Sequence, residues 1–136
     1  WLEKVRELEE RIEGVKAELE KSITPLALLA AKKIVGREIE LDPNAIVDIV
    51  RSHLKAVKQS KKITVWVARS DFVALDKNKQ QLKENFEELE VFSVRPRDDL
   101  TKGGCIIETE SGIINATIEN QWALVEKVFQ KKDSHK

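Results

Sequence analysis

Apolar residues recur at alternating steps of four and three from Trp1 through Val5, Leu8, Ile12, Val15 and Leu19, and the row continues through Ser22, Leu26 and Leu29. This is the a/d spacing of a coiled-coil seam, and almost everything between is Glu, Lys or Arg. A stripe two residues wide per heptad has little else to bury, so such a helix draws its stability from a partner helix. Pairing with a second chain through Val5, Leu8, Ile12, Val15 and Leu19 is the expectation, and folding back onto its own domain is the alternative.

Thr24-Pro25 interrupts that row with a capping residue and a proline suited to the first turn of a new helix. The following segment, residues 26–36, is apolar over most of its surface and stops at Gly36, a candidate left-handed C-terminal residue. Asp42-Pro43 repeats the signal before a helix in which Ile46, Ile49, Val50, His53, Leu54 and Val57 share a face. These two helices are expected to form the first layer of a globular part.

Residues 61–68, KKITVWVA, alternate with period two and predict a strand. Ser70 or Asp71 can cap the next helix, where Phe72, Leu75, Lys79, Leu82 and Phe86 fall at helical spacing. Residues 89–95 predict a second strand, parallel to the first because a helix connects them, and 96–101 a polar connection. The sequence CIIETE predicts a third strand, Ser111-Gly112 a tight turn, and IINA a short returning strand. A helix over 116–130 is expected to bury Ile118, Trp122, Val125 and Phe129, and residues 131–136 read as a disordered tail.

The fold class is therefore α+β: a coiled-coil helix over 1–24, then a globular domain over 25–130 holding a three- to four-stranded mixed sheet packed with helices. The element order is α-α-α-β-α-β-β-β-α, the last strand short.

Composition narrows the function. With 136 residues one core is the limit. Lys+Arg and Asp+Glu are 24 each, which gives no net field toward nucleic acid or anionic membranes and favours protein partners. No apolar run is long enough to span a bilayer, and the start is a charged helix rather than a signal peptide. The lone Cys105 excludes an internal disulfide and fits a reducing, cytoplasmic compartment. The absence of Met and the start at Trp1 read as a fragment with docking segments upstream.

Candidate chemistry is sparse. Gly103-Gly104 open a strand, not a helix, and no Lys-Ser or Lys-Thr follows, so a phosphate loop is excluded; they and Gly112 serve backbone geometry. Cys105 needs a base to act as a nucleophile, and His53 sits on an apolar face while His135 is in the tail. Glu108 and Glu110 point to one side of a strand, a solvated face rather than an acid-base pair across a cleft. Asp98-Asp99 make a poor cation site, and Asn115-Ala116-Thr117 matches a glycosylation sequon only by chance. Lys58, Lys61 and Lys62 cluster near Trp66, which the alternation places opposite Ile63, Val65 and Val67, under a helix rather than against a base. No catalytic residue, cofactor or metal ligand is expected.

The segments LALLAAKKIVGREIELDP, ITVWVA with its following SDF, RPRDDLTKGGCIIETESGIINATIENQ and the helix after it resemble the stator, or ATPase-regulator, family of type III secretion and flagellar export. That family is related to the E subunit of rotary ATPase peripheral stalks. The resemblance implies a non-enzymatic homodimer whose coils extend from paired C-terminal domains. Those domains would hold the N-terminal segment of the secretion ATPase, link it to the cytoplasmic ring or sorting platform and regulate its activity. It also implies a peripheral position at the cytoplasmic face, with no insertion into the membrane. Family members usually carry a longer N-terminal docking region, and Asn115 stands where many have Asp, so no essential carboxylate is implied there. The alternative within the resemblance is an E-type stalk subunit of a V/A-type rotary ATPase, which would pair with a different helical subunit.

Overall fold

The computed structural model describes residues 1–134. The elements in chain order are α1 (Leu2–Leu41), α2 (Ala45–Leu54) followed by a 3-10 turn (Lys55–Val57), β1 (Lys62–Ala68), α3 (Arg69–Lys77), α4 (Lys79–Lys83), β2 (Val91–Arg97), β3 (Cys105–Thr109), β4 (Gly112–Ala116) and α5 (Ile118–Ser134). The chain divides into two compact units, residues 1–35 with the C-terminal stretch from Glu126, and residues 36–125.

Residues 36–125 hold a mixed sheet of order β2-β1-β3-β4. β1 and β2 are parallel, with Val65 beside Val94, and the β1–β3 and β3–β4 pairs are antiparallel. Alternation sends Ile63, Val65, Val67, Phe92, Val94, Cys105 and Ile107 to one face, where they pack with Ile46, Val50 and Leu54 of α2, Leu75 of α3 and Leu82 of α4. The α+β architecture and the parallel β1–β2 pair match the sequence expectation.

Five local features depart from it. The break at Thr24-Pro25 does not occur, and α1 continues through Pro25. An internal proline removes one helical hydrogen bond and costs about 3 kcal/mol, but strong helix formers flank it on both sides. The Thr24 hydroxyl donates back to the Glu20 carbonyl at 3.0 Å instead of capping, and Ser22 does the same to Glu18 at 3.1 Å. Gly36 is likewise helical with no positive φ; the helix ends at Leu41, just before Asp42-Pro43, where the residue ahead of a proline disfavours the helical region.

The helix expected over Phe72–Phe86 is two, α3 and α4, divided at Asn78, whose side-chain amide turns back to the Ala74 carbonyl at 2.8 Å. Pro96 lies inside β2 rather than in a connection, which an edge strand tolerates because the absent N–H leaves no central ladder bond unmade. Finally, α5 extends through Ser134, into the stretch expected to be a disordered tail; His135 and Lys136 lie outside the described residues.

Candidate interaction surfaces

A 40-residue helix with no buried residue leads the chain. Val5, Leu8, Ile12, Val15 and Leu19 are between 38% and 60% exposed, so the a/d row lies on the surface of this single chain. Leu26, Leu29, Ile34 and Val35 are exposed as well, between 41% and 66%, which corrects their expected place in the first layer of the globular part. On α5, Ile118 and Trp122 are half-buried while Val125 and Phe129 are exposed, against the expected burial of all four. The reason is common to both helices. Periodicity identifies an apolar stripe but not what covers it, and in this chain α2, α3 and α4 already fill the packed face of the sheet. Within the first unit, Pro25, Leu28, Leu29 and Phe129 line a groove of about 460 Å³, beside an ion pair of 2.7 Å between Lys32 and Glu126.

The Gly-rich block is scaffold. Gly103 has φ +91°, a backbone that side chains rarely adopt, and a Cβ there would approach the Ile39 side chain at 2.9 Å. A Cβ on Gly104 would meet the Ile118 backbone nitrogen at 2.8 Å, so the start of α5 sits directly against this turn. Gly112 has φ +151° at the β3–β4 turn. The turn before β3 is fixed by Asp71 in the first turn of α3, just past the end of the neighbouring strand β1. Its buried carboxylate accepts the Gly103 N–H at 2.7 Å and pairs with Lys102 at 2.7 Å. Sequence reading offered Asp71 only as a cap for its own helix; α3 begins without a side-chain cap, and the carboxylate serves a turn thirty-two residues on.

Thr117 caps α5 by accepting the Asn120 N–H at 3.2 Å, and Asn120 in turn donates to the Asn115 carbonyl at 2.7 Å. Gln121 donates to the Ala116 carbonyl at 2.8 Å, and Thr101 donates to Glu119 at 2.6 Å. The IENQ motif is thus a helix start tied to the end of β4 and to the preceding loop. The cap missed at Thr117 was readable as a Thr followed three residues later by an amide side chain.

The acidic candidates are occupied in the same structural way. Asp98 takes a forked pair from Arg69 at 2.7 and 3.4 Å, and Asp99 one from Arg97 at 3.0 and 2.8 Å. Each arginine bond, the leading cause, holds its aspartate below the usual carboxylate range. Glu110 lies in the turn after β3, not on the strand with Glu108, and accepts the N–H groups of Lys61 and Lys62 at 2.9 and 3.2 Å. The bond from Lys61 first of all lowers its pKa. Among the described residues no His, Cys, Asp and Glu come together as a metal site.

Cys105 is fully buried on the packed face, and burial pushes its thiol up to about 12, so almost no thiolate exists near neutral pH. Trp66 occupies the opposite face, half-buried, with the Arg97 guanidinium 5.7 Å from its ring centroid. No helix of the described residues is long and apolar enough to cross a membrane.

With the exposed seam and the scaffolded block in view, relatives can be compared. The profile of the flagellar assembly protein FliH family matches residues 3–125. A flagellar assembly protein FliH from Borreliella burgdorferi is 30% identical over 108 residues, 79% of this chain and 35% of that protein. Type 3 secretion system stator proteins from Yersinia enterocolitica and Yersinia pestis are 30% and 32% identical, each over 76% of this chain and 45% and 46% of their own lengths. The chain thus spans less than half the length of these curated relatives, and the family match over residues 3–125 takes in Val5 to Leu29 and the Gly-rich block. The chain belongs to the flagellar assembly protein FliH family.

Proposed function

We propose that this protein is a non-enzymatic stator of a type III secretion or flagellar export apparatus. It homodimerises through Val5, Leu8, Ile12, Val15 and Leu19, binds the N-terminal segment of the secretion ATPase with its C-terminal domain and regulates that enzyme. The link to the cytoplasmic ring is assigned to the part of the family's length that these residues do not span.

The observation that carries the reading is the uncovered a/d row on a helix with no buried residue. At about 1.5 Å per residue the helix is on the order of 60 Å long, a length that tertiary packing must support. A second copy supplies that packing with Leu, Ile and Val knobs in matching holes. The relatives' names supply the setting: stator, type 3 secretion and flagellar assembly.

Light scattering after size exclusion tests both halves. The expected mass is about twice the 15.5 kDa of one chain, increasing by one segment when the ATPase N-terminal peptide is added. Leu8→Asp with Ile12→Asp should return the mass to a monomer. A wild-type monomer at micromolar concentration would count heavily against the seam, and a dimer forming only with a different helical subunit would move the protein to the rotary stalks.

A further inference from the structure

Between α2 and α4, within residues 36–125, lies a second groove with a character unlike the coil. Its floor is the buried Leu54 and Leu82 with the partly buried Phe86, and its volume is about 240 Å³. The rim is basic. Arg51, Lys55 and Lys58 stand at successive steps of four and three on α2 and the turn after it, and no carboxylate lines the groove. Arg51 pairs with Asp48 at 2.8 Å, whereas neither Lys55 nor Lys58 has an ion-pair partner among the described residues. The same two lysines border an adjoining hollow whose Glu110 is held by the N–H groups of Lys61 and Lys62. In a chain with 24 cations and 24 anions, this is a local excess of positive charge around an apolar floor.

We propose that this groove docks an acidic amphipathic helix of a partner protein, with one or two large apolar side chains on Leu54, Leu82 and Phe86 and carboxylates on Lys55 and Lys58. Size and chemistry select that occupant. Clefts for cofactors run from about 300 Å³ upward, so 240 Å³ suits side-chain anchors better. A free anion would leave the apolar floor unused, and a nucleic acid would meet only a short basic row in a neutral protein. A helix laid in a groove uses both features at once, with apolar residues at i, i+3, i+4 and i+7 and complementary charge along the rim.

The test is fluorescence anisotropy of the full chain with three labelled peptides of equal length. One has Leu at i, i+3, i+4 and i+7 with Glu elsewhere, one replaces the Glu by Lys, and one keeps the Glu without the Leu. The acidic amphipathic peptide should bind saturably, at least about ten-fold tighter than either control, and weaken as salt rises from about 50 to about 300 mM. The exposed pair Lys55→Glu and Lys58→Glu should lower affinity at least about ten-fold, with the unfolding curve unchanged.

Absence of saturable binding, or equal affinity in that variant, overturns the proposal. Equal binding of the Leu-free peptide overturns it in favour of a plain anion patch. A fall from dimer to monomer on adding the peptide overturns it in favour of a second copy as occupant. Because the groove lies within residues 36–125, a chain with a broken seam keeps it, so peptide binding and self-association fail separately.

Discussion

Residues 1–35 and residues 36–125 carry apolar side chains in similar style and put them to opposite uses. In the second unit, period-two strands and short helices bring Ile63, Val65, Val67, Leu75 and Ile107 to full burial. In the first, the heptad row from Val5 to Leu29 stays exposed, and only its last residue, Leu29, borders the groove shared with Phe129. The strands find cross-strand neighbours and helices within the chain, because one hairpin, β3–β4, and a βαβ connection return them to one sheet. Over residues 1–19 the long helix has no second layer among the described residues, since the end of α5 meets it only around Pro25 to Lys32. The difference teaches that one unit buries its apolar pattern within the chain while the other leaves its heptad row exposed.

The contrast breaks most directly if core and seam residues respond alike. Ile107→Ala is expected to lower stability by about 2–5 kcal/mol, since it opens a cavity in a site with no exposure. Leu8→Ala should leave unfolding of the sheet, followed in urea by Trp66 fluorescence in a Trp1→Phe, Trp122→Phe background, within about 0.5 kcal/mol of the parent. Equal losses would mean that the helix packs on the sheet in solution.

Asp71→Asn sharpens the picture of how the second unit is held. The amide keeps the size but weakens the acceptor for Gly103 and Lys102, and a loss of about 1–3 kcal/mol is expected in the same urea assay. An unchanged midpoint would remove Asp71 from the list of groups that fix the turn.

Glycines give the third comparison, with opposite signs. Gly104→Ala places a methyl against backbone at 2.8 Å and should destabilise by about 1–3 kcal/mol. Gly14→Ala, in open space on α1, should raise helix stability by about 0.5–1 kcal/mol, visible as a higher melting temperature by circular dichroism at 222 nm. A destabilised Gly14→Ala would mean that something approaches α1 closely in the assembly.

The sequence was most legible where period and turn chemistry agreed. The strand KITVWVA, the hairpin around Ser111-Gly112 and the parallel β1–β2 pair could all be read from alternation and connection length. Legibility failed where one residue carries two meanings. Thr24 before Pro25 reads as a cap but back-bonds to Glu20, and Gly36 reads as a stop but is helical because good helix formers follow it. Apolar spacing on α5 likewise could not show that Val125 and Phe129 would be left uncovered. Asp71 was hidden for another reason. Its partners at 102 and 103 are set by topology, and no local window contains them.

The smallest effect expected is a dependence on acid, and it belongs to the second unit. Asp98, Asp99 and Glu110 have pKa values lowered by bonds made only in the fold, first of all those from Arg69, Arg97 and the Lys61 N–H. A lowered folded-state pKa means that the stabilisation is fully present above the unfolded values, 3.8 for Asp and 4.5 for Glu, and is lost as pH falls through the folded ones. All three groups are exposed, so solvent screening keeps the change modest. Unfolding midpoints followed by Trp66 fluorescence in the same Trp1→Phe, Trp122→Phe background should therefore be flat from neutral pH down to about pH 5 and decline below about 4.5. Glu110→Gln should make that decline shallower, because a neutral amide still accepts the Lys61 N–H at any pH. A decline of unchanged steepness in the variant would show that the Glu110 bonds, although formed, hold the hairpin to β1 no more firmly as a carboxylate than as an acid.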